Sequence, residues 1–192
     1  LVRKYGTPLK LTFVPKIGQQ VEKARKFFKK AIKHSDYRGK YYYCYCTKSC
    51  HFSHVLDEVL AHGAHLETSS SFDIDLVWKL YSRGKIDEKT IIINNGFKTE
   101  EYTRKISDLI NKGFKNIIPV LDNKSEIFYY DQFVDTDEYN VGIRVATEEE
   151  PNFEFYTSRL GIRNADVLPF YRSVLSQNKR ARLKMLHFFV DT

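Results

Sequence analysis

Thr90-Ile91-Ile92-Ile93-Asn94-Asn95-Gly96-Phe97-Lys98-Thr99 is a β-branched run, a glycine turn and a helix cap in succession. The run at 90–93 has strand composition. Thr99 is a helix cap, and Tyr102, Ile106, Leu109 and Ile110 then recur on one face until Gly113 ends the helix. A second apolar run, Asn116-Ile117-Ile118-Pro119-Val120-Leu121, follows at once. Strand, helix and strand within about 30 residues is a βαβ unit, which places its two strands parallel.

The same alternation extends in both directions. Expected strands start near 41, 64, 90, 116 and 139, at intervals of 23, 26, 26 and 23 residues. Helical patterns lie between them, over 52–60, 72–83, 99–113 and 125–134. After an irregular stretch that begins Glu148-Glu149-Glu150-Pro151, residues 165–177 are helical and 183–190 form a sixth strand. A doubly wound open sheet and a (β/α)8 barrel share this cadence. No GxGxxG follows any strand, which argues against dinucleotide binding. A closed barrel needs eight strands and about 250 residues. The expectation is an α/β fold, an incomplete (β/α)8 barrel of about six units. Residues 1–40 form an N-terminal segment and helix, and 41–192 the barrel portion. With no initiator Met and a last strand that ends with the chain, the sequence reads as part of a larger protein.

Composition narrows the class. The 192 residues are 42% hydrophobic and 29% charged, which excludes a disordered or low-complexity chain. No apolar run reaches the roughly 18–20 residues of a membrane span, and the start has no signal-peptide pattern. Three cysteines, with Cys44 and Cys46 alternating around Tyr45, make no disulfide framework and indicate a reducing cytoplasm. The net charge of +7 is spread out. Its densest run, residues 23–30, lies on a helix whose apolar face is Val21, Ala24, Phe27, Phe28, Ala31 and Ile32, so the lysines fall on the solvated side. Neither this run nor Lys179-Arg180-Ala181-Arg182, read as a helix end and turn, makes a nucleic-acid site.

Functional groups of a βα barrel gather at the C-terminal strand ends. Alternation puts Tyr42, Cys44, Cys46 and Lys48 on one face of the first strand, with Lys48 at the mouth and Tyr41, Tyr43 and Tyr45 toward the helices. Glu67 and Ser69 share a face of the second strand, and Gly142, Arg144 and Ala146 one of the fifth. Met185, His187, Phe189 and Asp191 share a face of the sixth. An amine among opposite charges suits Schiff-base chemistry. The bland alternative is a solvated loop lysine and a structural Glu67–Arg144 ion pair.

Tyr45-Cys46-Thr47-Lys48-Ser49 resembles the first-strand lysine motif of pyridoxal-phosphate decarboxylases with an alanine-racemase-like barrel, and Tyr5-Gly6-Thr7-Pro8-Leu9 resembles their N-terminal segment. Further segments are similar to the biosynthetic arginine decarboxylase branch: Leu66-Glu67-Thr68-Ser69-Ser70, Asn94-Asn95-Gly96-Phe97-Lys98 with Glu101-Tyr102, and Ser125-Glu126-Ile127. Gly142-Ile143-Arg144, Ser158-Arg159-Leu160-Gly161-Ile162 and Leu186-His187-Phe188 continue the series, so the resemblance covers the chain in order.

The resemblance implies pyridoxal 5'-phosphate as cofactor, held by Lys48 as an internal aldimine, and allows Mg2+ in the full-length enzyme. It places Glu67 near that linkage, Arg144 at the cofactor's edge and His187 at the mouth. L-Arginine is the implied substrate, with agmatine and carbon dioxide as products feeding polyamine and spermidine synthesis. The family's sites form between two subunits, so a homo-oligomer is implied, with no nucleic-acid or membrane partner. The sequence departs from the pattern at Phe189, where the family has a His stacked on the pyridine, at Asp191-Thr192 in place of Gly-Ser, and at Cys50 in place of Asn. The family's glycine-rich phosphate loop, the acidic partner of the pyridine nitrogen and the C-terminal β-domain belong to later sequence, so this stretch alone is expected to be inactive. Other readings are decarboxylation of ornithine, lysine or diaminopimelate, a non-catalytic regulatory homologue, and a basic binding module.

Overall fold

The computed structural model describes residues 1–146 and 160–189. Glu148-Glu149-Glu150-Pro151, Ser158, Arg159, Val190, Asp191 and Thr192 lie outside the described residues. The chain falls into two compact units, residues 1–43 with 50–64, and residues 44–49 with the chain from 65 onward.

The first unit holds α1 (Val2–Tyr5), α2 (Val14–His34) and α3 (Ser53–Ala61). Gly18 lets α2 pass close to the end of α3, since a Cβ there would come within 2.2 Å of His62 Nε2. Arg25 donates from Nη1 to His62 O at 2.7 Å and from Nη2 to Gly63 O, which satisfies carbonyls past the end of α3. The expected apolar face of α2 is buried only at Val21; Phe27 and Phe28 are 58% and 49% exposed. Length explains this. With 21 residues, α2 is about 31 Å long, whereas α3 has 9 and is about 13 Å long. Phe28 stacks instead on Tyr41, with ring centroids 4.0 Å apart.

The second unit runs β1 (Cys44–Cys46), β2 (His65–Thr68), α4 (Ser71–Ser82), β3 (Ile92–Asn94), α5 (Glu100–Asn111), β4 (Ile117–Leu121), α6 (Glu126–Phe133), β5 (Tyr139–Arg144), α7 (Asn164–Phe170) and β6 (Ala181–His187). Its six strands stand in sequence order, and every neighbouring pair is parallel. A doubly wound sheet reverses its strand order after one half. This sheet never reverses, so the architecture is an incomplete α/β barrel.

Alternation divides the sheet into two faces. Leu66, Ile92, Ile117, Val141 and Ile143 are almost fully buried, as are Ile74, Val77, Ile106, Leu109, Ile127 and Tyr130 on the helices. Burying each such side chain contributes roughly 1.5–3 kcal/mol, which makes this layer the main source of stability. On the opposite face Cys46, Glu67, Ile93, Ile118 and Arg144 are only half-buried. Local signals start the helices, the Thr99 cap as expected. Asp73 accepts from the amides of Ser69 and Ser70 at the start of α4, and Thr99 Oγ1 accepts from Tyr102 N at 3.2 Å in α5.

The first and sixth strands depart from expectation in ways that matter to the strand ends. The first strand is three residues long, and Thr47–Ser49 form a 3-10 turn, so Lys48 follows the strand rather than extending its inner face. Thr47 Oγ1 donates to Glu67 O at 3.0 Å, and this bond ties the turn to β2. The sixth strand starts at Ala181, because Asn178 Oδ1 accepts from Arg180 N and Ala181 N and turns the chain into it. Arg180 itself donates to Asp131 O at 3.0 Å and Thr136 O at 3.0 Å, so this basic residue is structural.

Candidate functional site

The C-terminal ends of the six strands bring the expected residues to one end of the sheet. Register sets Cys46 beside Glu67 between β1 and β2, and Arg144 beside His187 between β5 and β6. Lys48, one turn beyond β1, is exposed. Phe189 follows β6 and is 46% exposed.

Glu67 is held from both sides. Cys46 Sγ lies 3.7 Å from its Oε1, and Asn95 Nδ2 donates to the same oxygen at 3.3 Å. Asn95 Nδ2 also lies 3.3 Å from His187 Nε2, so one amide joins the ends of β2, β3 and β6. Burial, with Glu67 nearby, pushes the Cys44 thiol up to about 12 and raises Cys46 as well. These cysteines are therefore protonated packing groups rather than nucleophiles.

Arg144 does not pair with Glu67, as the sequence allowed. Its Nη1 donates to Asp122 Oδ1 at 3.4 Å, and its guanidinium carbon sits 4.6 Å from the centroid of the Phe189 ring. Glu67 projects from β2 and Asp122 follows β4, which is the immediate neighbour of β5. His187 meets the edge of the Phe189 ring at 5.1 Å. Burial pushes the His187 imidazole below its ordinary range.

Lys98 and Glu126 form a buried layer beside these residues. Lys98 Nζ donates to Gly96 O at 2.7 Å and to Val120 O, and lies 3.7 Å from Glu126 Oε2. Glu126 accepts from Asp122 N and Asn123 Nδ2, each at 3.0 Å. Burial lowers the Lys98 pKa and raises that of Glu126. The pair joins the turn after β3 to the end of β4. Gly96 is needed in that turn: its φ is +81°, and a Cβ would come within 2.8 Å of Ser69 O. Gly161 is needed likewise, with φ +97° and Ala146 N 2.9 Å from a Cβ, where Ile162 extends the sheet beside Val145.

Asn95, Asp122, Lys98 and Glu126 were not among the expected site residues. A strand-end rule reaches Asp122, one residue past β4. Asn95 and Lys98 sit in a turn where side-chain direction has no period to reveal it.

The profile of the family described as pyridoxal-dependent decarboxylase, pyridoxal binding domain, matches residues 18–188. Among solved structures, a diaminopimelate decarboxylase from M. jannaschii in complex with L-lysine superposes with a TM-score of 0.76 at 16% identity, over 98% of this chain and 43% of that one. A biosynthetic arginine decarboxylase from Campylobacter jejuni gives 0.69 at 19% identity, over 91% and 28%. A lysine decarboxylase from Selenomonas ruminantium gives 0.59 at 16%, over 96% and 47%. A comparison with curated protein sequences finds no match. The chain therefore spans less than half the length of these similar enzymes.

The chain belongs to the pyridoxal-dependent decarboxylases and carries their pyridoxal-binding domain. Its cofactor is pyridoxal phosphate, and the strand ends fit it. Asn95 Oδ1, Asp122 Oδ2 and His187 Nδ1 are buried polar atoms with no hydrogen-bond partner among the described residues. Native structures leave few such atoms, and a polar ligand is one way to satisfy them. Among the described residues, no group of three or more His, Cys, Asp or Glu is placed to hold a metal ion. None of their helices is long and apolar enough to cross a membrane.

Proposed function

We propose that this chain is the lysine-bearing part of a pyridoxal-phosphate-dependent decarboxylase that converts L-arginine to agmatine and carbon dioxide, supplying polyamine synthesis. The observation that carries the reading is the exposed Lys48 amine at the same strand ends as Glu67, Arg144 and His187. Residues 1–40 are the N-terminal segment and 41–192 the cofactor-binding barrel portion of a cytoplasmic homo-oligomer.

When bound, pyridoxal phosphate supplies an aldehyde that condenses with amines and a ring that accepts the electron pair freed as the α-carboxylate leaves. Lys48 would hold the cofactor through its exposed amine. Glu67 supplies a carboxylate one strand away, held in place by Asn95. Arg144 offers fixed positive charge, immobilised between Asp122 and Phe189. Charge held in place before reaction needs no reorganisation when a carboxylate departs. Phe189 offers an aromatic face and no proton, and His187 lines the same strand ends.

Arginine is favoured over other basic substrates by the series of segments from Leu66-Glu67 to Leu186-His187 that resemble the arginine decarboxylase branch. The test is the full-length protein assayed for carbon dioxide and amine product with arginine, ornithine, lysine and diaminopimelate. The expected result is agmatine from arginine, with kcat/KM at least about tenfold above the other three. A preference for another substrate overturns the arginine assignment. No carbon dioxide from any of them establishes the non-catalytic reading.

A further inference from the structure

Asn95 has two amide hydrogens and two neighbours. Its Nδ2 lies 3.3 Å from Glu67 Oε1 and 3.3 Å from His187 Nε2. A carboxylate only accepts, so the amide must turn its nitrogen, not its carbonyl, toward Glu67. The second hydrogen of that nitrogen then points at His187 Nε2, which must accept. A neutral imidazole that accepts at Nε2 carries its own hydrogen on Nδ1. Burial keeps the ring neutral at pH 7.5, Arg144 and Lys98 opposing its protonation while Glu67 and Asp122 favour it.

The Asn95 backbone is fixed by buried groups. Its N–H donates to Thr68 O at 2.9 Å, and its carbonyl accepts from Tyr102 OH at 3.2 Å. Thr68 Oγ1 also lies 2.8 Å from the Tyr102 hydroxyl, where either oxygen can donate, and 3.5 Å from Ile93 O. Asn94 Nδ2 donates to Thr68 Oγ1 at 2.8 Å. These bonds fix the backbone of buried Asn95, and its side-chain nitrogen is held between Glu67 and His187.

At the far end of this arrangement is an unmet donor. His187 Nδ1 is buried and has no hydrogen-bond partner among the described residues. We propose that Asn95 is a positioning residue that locks His187 in its Nδ1–H tautomer, so that Nδ1–H is a fixed donor for an anionic oxygen of the bound ligand. The proposal rests on the reading of these strand ends as the cofactor site. A phosphate, phenolate or carboxylate oxygen provides the same acceptor chemistry, so the oxygen belongs either to cofactor or to amino-acid substrate.

The first test needs neither cofactor nor turnover. Full-length protein labelled with 15N-histidine, with the His187 signal identified by its loss in His187→Asn, reports which ring nitrogen carries the hydrogen. The expected state at pH 7.5 is neutral with hydrogen on Nδ1. Asn95→Asp, which replaces a donor with an acceptor, is expected to move that hydrogen to Nε2. A wild-type ring with hydrogen on Nε2, or on both nitrogens, overturns the proposal. Because no decarboxylation is involved, this outcome is separate from failure of the functional reading.

The second test places an amide nitrogen where each ring nitrogen stood. His187→Asn restores a donor near the Nδ1 position, and His187→Gln near that of Nε2. Pyridoxal phosphate affinity and the arginine KM are measured for both. The expected result is that His187→Gln is about tenfold weaker than His187→Asn in one of the two quantities. A loss in cofactor affinity assigns the oxygen to cofactor, and a loss confined to KM assigns it to substrate. Equal losses in the two variants overturn the proposal.

Discussion

The guanidinium carbon of Arg144 lies 4.6 Å from the centroid of the Phe189 ring, with Asp122 Oδ1 3.4 Å from its Nη1. An aromatic face and a carboxylate thus hold one cation at the end of β5. The pair gives a physical sense to the departure at position 189. A neutral aromatic ring tolerates the guanidinium at any pH, whereas an imidazole beside the same charge does so only while unprotonated.

Phe189→Leu keeps an apolar group and loses the cation–π attraction, which is worth about 0.5–1 kcal/mol at partly exposed sites. Urea denaturation is expected to show a loss of that size at all pH values. Phe189→His is expected to match wild type near pH 8 and to weaken below about pH 6.5, where an imidazolium faces Arg144.

Lys98 and Glu126 should behave as a unit. Lys98→Met leaves the buried Glu126 carboxylate without its cation and two carbonyls without their donor, and is expected to cost about 3–5 kcal/mol. Lys98→Met with Glu126→Gln removes both charges and is expected to recover a substantial part of that loss. A double-mutant cycle by urea denaturation measures the coupling, and additive losses contradict the pairing.

His187 gives a pH signature. Its folded-state pKa is below the ordinary 6.5, so in the interval up to 6.5 the unfolded chain binds more protons than the native one. Its contribution to stability therefore rises as pH rises through that interval and is flat above it. Subtracting the stability of His187→Asn from wild type at each pH isolates this slope. A difference that falls as pH rises contradicts the burial of the ring.

The order of strands and helices was legible because the βα cadence depends on alternating periods of apolar residues, as in the unit from Ile92 to Leu121. The inner-face residues Glu67 and Arg144 were legible for the same reason, since strand alternation fixes direction. Lys48 was placed on a strand and sits in a turn, because the bond from Thr47 Oγ1 to Glu67 O acts between strands and leaves no mark on local pattern. The Arg144 partner is not legible on similar grounds: the sequence allows an ion pair with Glu67, and strand adjacency puts Asp122 there instead. Asn95 went unnoticed as a site residue because an Asn before Gly reads first as turn chemistry.

The most direct test of Lys48 as the cofactor's amine is borohydride reduction of the full-length protein saturated with pyridoxal phosphate, followed by peptide mapping. Lys48 is exposed at the strand ends, whereas the Lys98 side chain is fully buried and committed to two carbonyls and Glu126. The account predicts one pyridoxyl label, on the peptide containing Lys48, and its loss in Lys48→Arg. A stoichiometric label on Lys98 or Lys124, or one that persists in Lys48→Arg, contradicts it.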